Sequence, residues 1–156
     1  MNLAIMSTVA VVAFSIFAPP SVADGQVVPG NATMTPLERA HTTEKGKLKN
    51  PLPLTPEIIA EGEVLFQAKT CSACHGSTGK GIHCPSLVND AWIYGDDDDT
   101  LFRLIALGSD EFQNAGYVRS DQEKLAGPMP GFGELIGTDQ ELWKIITFIR
   151  SLKAPN

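Results

Sequence analysis

Apolar residues recur at helical spacing in three stretches of this chain, and no strand-like alternation competes with them. The first is PEIIAEGEVLFQAK (56–69), where Ile58, Leu65 and Phe66 share a stripe with Gly62. Thr55 is a good N-cap for it, Pro56 suits the first helical position, and Glu57 complements the helix dipole. A glycine on a buried stripe costs helix stability, so Gly62 predicts close approach by another helix. The second stretch is DTLFRLIALG (99–108). Asp99 can cap it, Gly108 can end it, and Leu101, Leu104, Ile105 and Gly108 fall on one face. The third is the clearest. Thr138 to Glu141 reads as a capping box, and Leu142, Ile145, Ile146, Ile149 and Leu152 line one face, widened by Trp143 and Phe148. The intervening segments are long and rich in Gly and Pro, especially 109–137. Loops of that length in a compact domain wrap something functional. The pattern predicts an all-α fold of three main helices and long loops, with no internal repeat.

Ahead of the first helix the pattern changes twice. Residues 3–18 form a 16-residue apolar run without charge, followed by Pro19-Pro20 and Ser21-Val22-Ala23. Ser21 and Ala23 stand at the −3 and −1 positions of a cleavage point before Asp24, so residues 1–23 read as a secretory signal peptide. A retained membrane anchor is the alternative, but a span needs about 20 apolar residues. Residues 24–54 are broken by Pro29, Gly30, Pro36, Pro51 and Pro53 and carry no apolar period. They read as an extension that does not fold alone, which leaves 55–156 as the folded domain.

Charge narrows the class of partner. The chain carries a formal net charge of −6. Residues 24–50 hold four bases and three acids, and residues 51–156 hold eight bases and fifteen acids. That acidic body argues against a nucleic-acid partner. It suits steering toward a basic patch on a protein. The run Asp96 to Asp99 reads as a solvated acidic cluster at a positive helix end rather than a metal site.

Three cysteines remain to be explained, and two of them lie in KTCSACHG (69–76). Export would oxidise paired thiols unless something consumes them, and a pure disulfide framework leaves one over. A structural zinc needs about four ligands. Adjacent Cys74 and His75 are awkward for one tetrahedral ion, even with Cys71 and Cys84. A thioredoxin-like dithiol expects a βαβ context, which is absent. Covalent haem attachment uses every residue: Cys71 and Cys74 reach two vinyl groups from one turn, and His75 becomes the proximal axial ligand. Candidates for the sixth ligand are Met34, His41, His83 and Met129. Met34 and His41 belong to the extension, and His83 is close to the proximal side. Met129 sits in AGPMPGFG, a proline-stiffened loop, and is the expected ligand.

With these residues in view, CSACHG, GPMPGF and LWKIITFIRSL resemble a class I cytochrome c over residues 55–153, in that family's order. The resemblance implies a fold wrapped around one covalently bound haem c, with the first and last helices crossing near Gly62 and Phe66. It also implies that the Pro85 carbonyl accepts the N–H of His75. Cys84, where many relatives carry a small residue, is expected to be a buried thiol. SLVNDAWIYG (86–95) is similar to a stretch of the cytochrome c-L proteins, acidic electron acceptors of quinoprotein methanol and alcohol dehydrogenases. Leu87, Asn89, Asp90, Trp92 and Tyr94 carry that likeness. Trp92 and Tyr94 would then lie at the haem edge, bonding a propionate or packing. The haem-c subunits of cbb-type terminal oxidases have a similar W-x-Y-G segment. The implied function is a periplasmic one-electron carrier rather than an enzyme. A quinoprotein dehydrogenase would be its donor and a cytochrome or oxidase its acceptor. The alternatives are a haem-c subunit of an oxidase complex, or a haem peroxidase or gas sensor if Met129 dissociates.

Overall fold

The computed structural model describes residues 34–119 and 127–153; the expected signal peptide lies outside them. Among the described residues there are five helices and no strand: α1 (Pro36–Thr42), α2 (Pro56–Ala68), α3 (Cys71–His75), α4 (Asp98–Asn114) and α5 (Asp139–Ser151). The architecture is all-α, as the periodicity predicts. Among the described residues, no helix is long and apolar enough to cross a membrane.

Four of the helices start on a side-chain oxygen. Thr35, Thr55, Asp97 and Thr138 accept the N–H of Glu38, Ile58, Thr100 and Glu141. At α5 the capping box is only half closed, because the Glu141 carboxylate accepts from Gly137 N at 2.9 Å rather than from the cap itself. The cap of α4 is Asp97, not Asp99.

α2 lies across α5, and Gly62 marks the crossing. A Cβ on Gly62 would run into the Lys144 carbonyl and come within 2.9 Å of Phe148 Cβ. Phe66 and Phe148 pack at 5.2 Å between ring centroids, and Phe102 meets Trp143 at 4.5 Å. Leu142, Ile145 and Ile146 of α5 are fully buried. The last helix is therefore the spine of the core, as its wide apolar stripe requires.

Within residues 34–54 the sequence pattern predicts no helix. They contain α1, with a complete capping box between Thr35 and Glu38, and they are tied to the body. Arg103 of α4 donates to the carbonyls of Ala40, Thr43 and Glu44. Arg39 pairs with Asp139 at 2.8 Å, and Leu48 and Ala40 are buried. Long-range side chains supply the order that local apolar periodicity lacks.

The acidic run also differs. Asp96 and Asp97 are exposed, but Asp98 accepts from Asn50 N and from Arg150 at 2.9 and 2.7 Å. Asp99 is only 2% exposed and pairs with Arg103 at 2.9 Å. A partner four residues along the helix converts a solvated charge into a buried one.

α4 is two helical segments joined at a kink. Gly108 sits at φ 78° and ψ 165°, outside helical space. The first segment does end at Gly108, and a second continues to Asn114. Kinks at Gly/Ser pairs break the i to i−4 ladder. Here the break frees the carbonyls of Ile105 and Ala106, which accept from Phe132 N and Gly133 N, each at 2.9 Å.

Candidate functional site

A cavity opens between the Cys71–Gly95 segment, α4, α5 and the loop at Met129. Leu101, Leu104, Ile105, Ile145 and Ile149 give it an apolar wall. Cys71, His75, Pro85, Trp92, Tyr94 and Met129 all line it. Of the two cysteines in the CSACH turn, Cys74 is not on the wall. It sits one turn from Cys71, is exposed, and lies beside Cys84, which does line the cavity.

The Cys71–His75 turn is set by one unusual backbone position. Thr70 takes φ 62°, a left-handed conformation rare for a β-branched residue. It swings α3 off the end of α2, so that Cys71 is 8% exposed and faces the core. Burial pushes the Cys71 thiol up to about 11, only partly offset by a backbone hydrogen bond. His75 donates from Nδ1 to the Pro85 carbonyl at 2.9 Å. That bond fixes the tautomer and leaves Nε2 with its lone pair. Burial holds the imidazole below its ordinary pKa, and the bond to Pro85 pulls the other way. The group is a neutral nitrogen donor facing an apolar space.

Met129 is presented by the kink in α4. Ser109 N donates to Met129 O at 2.9 Å, and Met129 N donates to Ser109 Oγ at 3.0 Å. A Cβ on Gly108 would lie 2.5 Å from Gly131 N, and one on Gly131 would lie 2.7 Å from Leu107 O. Two glycines thus let the Met129–Gly133 strap lie flat on the kinked helix. Sequence reasoning reads Gly108 as a stop and passes over Ser109; the Gly108-Ser109 pair inside an apolar period was the available signal.

The other sixth-ligand candidates are elsewhere. His41 pairs with Glu111 at 2.8 Å on the surface. Met34 Sδ accepts from Thr42 Oγ1 at 3.8 Å, and His83 is exposed. None of the three lines the cavity. Tyr94 packs edge-on against Phe112 at 5.2 Å, and Lys153 lies 5.3 Å above the Trp92 ring. Cys84 is half-buried rather than fully buried. An imidazole nitrogen, a thioether sulfur and the Cys71 thiol on one apolar wall, with Cys74 a turn away, fit haem c, which Cys71 and Cys74 would hold covalently and His75 and Met129 would ligate.

Residues 59–153 match the profile of the family described as Cytochrome c. The chain is 30% identical over 127 residues to the Cbb3-type cytochrome c oxidase subunit FixP of Azorhizobium caulinodans, covering 74% of this chain and 39% of that protein. It is 40% identical over 52 residues to FixP of Bradyrhizobium diazoefficiens, 31% of this chain and 18% of the relative. It is 32% identical over 82 residues to the Cbb3-type cytochrome c oxidase subunit CcoP of Cereibacter sphaeroides, 49% of this chain and 28% of the relative. The aligned part spans less than half the length of each of these relatives.

Proposed function

Because this chain belongs to the cytochrome c family, with covalent haem c and electron transfer as its family chemistry, we propose that it is a one-electron carrier whose iron is ligated by His75 and Met129. Cys71 and Cys74 are the attachment thiols in this reading. Haem, when bound, supplies a centre that takes up and gives back one electron without an open coordination position. The protein's part is to hold both ligands still. Pro85 fixes the imidazole ring, and Ser109 fixes the Met129 backbone. Leu101, Leu104, Ile105, Ile145 and Ile149 exclude water. A thioether ligand and burial both raise the reduction potential.

The observation that carries this reading is the placement of His75 and Met129 on the wall of one apolar cavity, next to Cys71. Its test is Met129→Ala in the haem-loaded protein. The far-red ferric charge-transfer band that reports sulfur–iron ligation disappears, and the midpoint potential falls. An unchanged band and potential remove the carrier reading. High-spin ferric haem with peroxide turnover in the unmodified protein would favour a peroxidase instead. Tight carbon monoxide binding there would favour a gas sensor.

For partners we favour a terminal oxidase on the acceptor side, as a carrier or as a haem-c component of the complex. The likeness to proteins named as cbb3-type oxidase subunits supports this. A quinoprotein alcohol dehydrogenase as donor is the second reading; the stretch 86–95 is similar to the acceptors of such enzymes and to cbb-type oxidase subunits alike. Stopped-flow reduction by such a dehydrogenase and oxidation by a purified cbb3-type oxidase separate the two. The apolar run at 3–18 supports work outside the cytosol, which fractionation of the expressed chain checks.

A further inference from the structure

The third cysteine has a place in the structure that electron transfer does not use. The carbonyl of Cys74 accepts three successive N–H groups, from Ile82, His83 and Cys84, at 3.0, 3.2 and 3.3 Å. Gly81 N also donates to His75 O at 2.8 Å. Gly81, at φ 84°, has no room for a Cβ, which would stand 2.8 Å from Cys84 O. The loop 76–84 therefore closes back on the attachment turn, with the two backbones in direct contact at Cys74 and Cys84. Burial first, and the neighbouring Cys74 thiol second, push the Cys84 thiol up to about 11. Cys71 is set apart. It is buried, and its thiol turns toward the carbonyl of Lys69 at 3.9 Å.

Two cysteines bridge when their Cα atoms lie within about 4.4–6.8 Å and their side chains converge. Backbones joined by an N–H···O=C bond at 3.3 Å bring Cys74 and Cys84 close to that condition. Cys74 is exposed and open to an oxidant, while Cys84 waits half-buried behind it.

We propose that Cys74 and Cys84 form an oxidisable thiol pair in the haem-free chain, and that the disulfide between them withholds Cys74 from haem. The oxidant is a small-molecule or protein disulfide. The Cys74 thiolate, having given up its proton, attacks one sulfur of that disulfide, forms a mixed disulfide and releases one thiol. Cys84 then attacks the Cys74 sulfur, forms the Cys74–Cys84 bond and releases the second thiol, its own proton passing to solvent. Two thiols of the chain are oxidised and one external disulfide is reduced. Attachment at Cys74 needs its S–H to add across a vinyl double bond, so the bridge blocks that half of the linkage. Once haem is attached, Cys84 is left as a reduced thiol. The blocking step rests on the haem reading above; the bridge itself does not.

The experiment uses the full-length haem-free chain treated with oxidised glutathione, trapped with iodoacetamide and digested with trypsin. Lys69 and Lys80 put Cys71 and Cys74 on one peptide and Cys84 on the next (cleavage follows lysine). The expected product joins these two peptides and carries the alkyl group on Cys71. The Cys71→Ser variant keeps the cross-link, and Cys84→Ser loses it. A Cys71–Cys74 disulfide as the main product, or only glutathione adducts, overturns the proposal. A second arm mixes reduced and pre-oxidised chains with ferrous haem under anaerobic conditions and reads covalent mass. The reduced chain gains haem through two thioethers, and the oxidised chain gains none at Cys74. Equal double attachment in both overturns the blocking step. Failure of the reduced chain to take haem sinks the haem reading while leaving the cross-link result standing.

Discussion

Ser109 and Met129 bind each other twice through the backbone of the strap, Ser109 N to Met129 O at 2.9 Å and Met129 N to Ser109 Oγ at 3.0 Å. The helix that supplies the cavity's apolar wall is thereby the element that aims the sulfur. Ser109→Ala removes the second bond and leaves the first. A net loss of about 0.5–1.5 kcal/mol is expected for one such bond. The readout is the sulfur–iron band: it weakens or shifts on warming well before global unfolding, while the unmodified protein keeps it. A purely structural role for Ser109 would move the unfolding midpoint and leave the band and the reduction potential where they are.

Gly108→Ala is the harsher change at the same place. It forces a Cβ into a backbone at φ 78° and to within 2.5 Å of Gly131 N. A backbone at φ 78° and ψ 165° is essentially a glycine conformation and costs of order 1–3 kcal/mol for a residue with a Cβ, and the clash adds to that. The strap must lift, so the ferric protein is expected to lose the sulfur–iron band in a large fraction of molecules at ambient temperature. Absorbance of the purified holoprotein checks it, with Gly116→Ala as control. Gly116 is also at positive φ, 83°, yet a Cβ there would meet only the end of the Lys45 side chain, at 3.9 Å.

At Gly62 propensity and packing point in opposite directions, which makes it a clean test of which wins. Alanine is about 1 kcal/mol better than glycine inside a helix. Its Cβ here would collide with the Lys144 carbonyl across the α2–α5 crossing. Backbone on the facing helix cannot rotate away as a side chain can. Gly62→Ala is therefore expected to destabilise by about 1–3 kcal/mol, the usual cost of overpacking. Guanidinium denaturation of the haem-loaded protein measures it, and a gain in stability would show that the crossing is looser than described.

What the sequence made legible follows from how local each feature is. α2 and α5 have long apolar stripes and caps within three residues of their starts, so their place could be read off directly; Gly62 called for some neighbouring helix, and only the resemblance to class I cytochromes c named it as the last. Met129 stood out because prolines and glycines flank it. α1 was missed because seven residues with two apolar positions, Leu37 and Ala40, show no period; only its cap, Thr35-Pro36-Leu37-Glu38, was written locally. Asp99 was read as solvated because its burial is decided by Arg103, Tyr117 and the Leu48 backbone, the last of them 51 residues away. Ser109 was passed over for the same reason, since its partner is 20 residues on and in a loop. Features set within one stretch of chain were visible; the burial of Asp99 and the role of Ser109, each completed by a distant stretch, were not.

That distinction makes Asp99 the strongest stability prediction. Its carboxylate accepts from Arg103 Nε at 2.9 Å, Tyr117 OH at 2.8 Å and Leu48 N at 3.1 Å. Arg103 in turn holds the carbonyls of Ala40, Thr43 and Glu44. One buried pair thus fastens residues 40–48 to α4. Burial by itself would raise the Asp99 pKa; hydrogen bonds from Arg103, Tyr117 and the backbone outweigh it and hold the group below 3.8, its ordinary value. A carboxyl depressed in the folded state contributes stability above its unfolded pKa, and that contribution is lost as pH falls through the folded value. Asp99→Asn leaves Arg103 buried without a counter-charge, and is expected to cost about 3–5 kcal/mol at neutral pH. Between neutral pH and about 4 the gap between wild type and variant should stay constant. Below that it should narrow, because the wild type alone protonates this group. Denaturant titrations of both holoproteins at a series of acid pH values measure the gap, and a gap that stays constant through that range would mean Asp99 is not the group that couples this fold to acid.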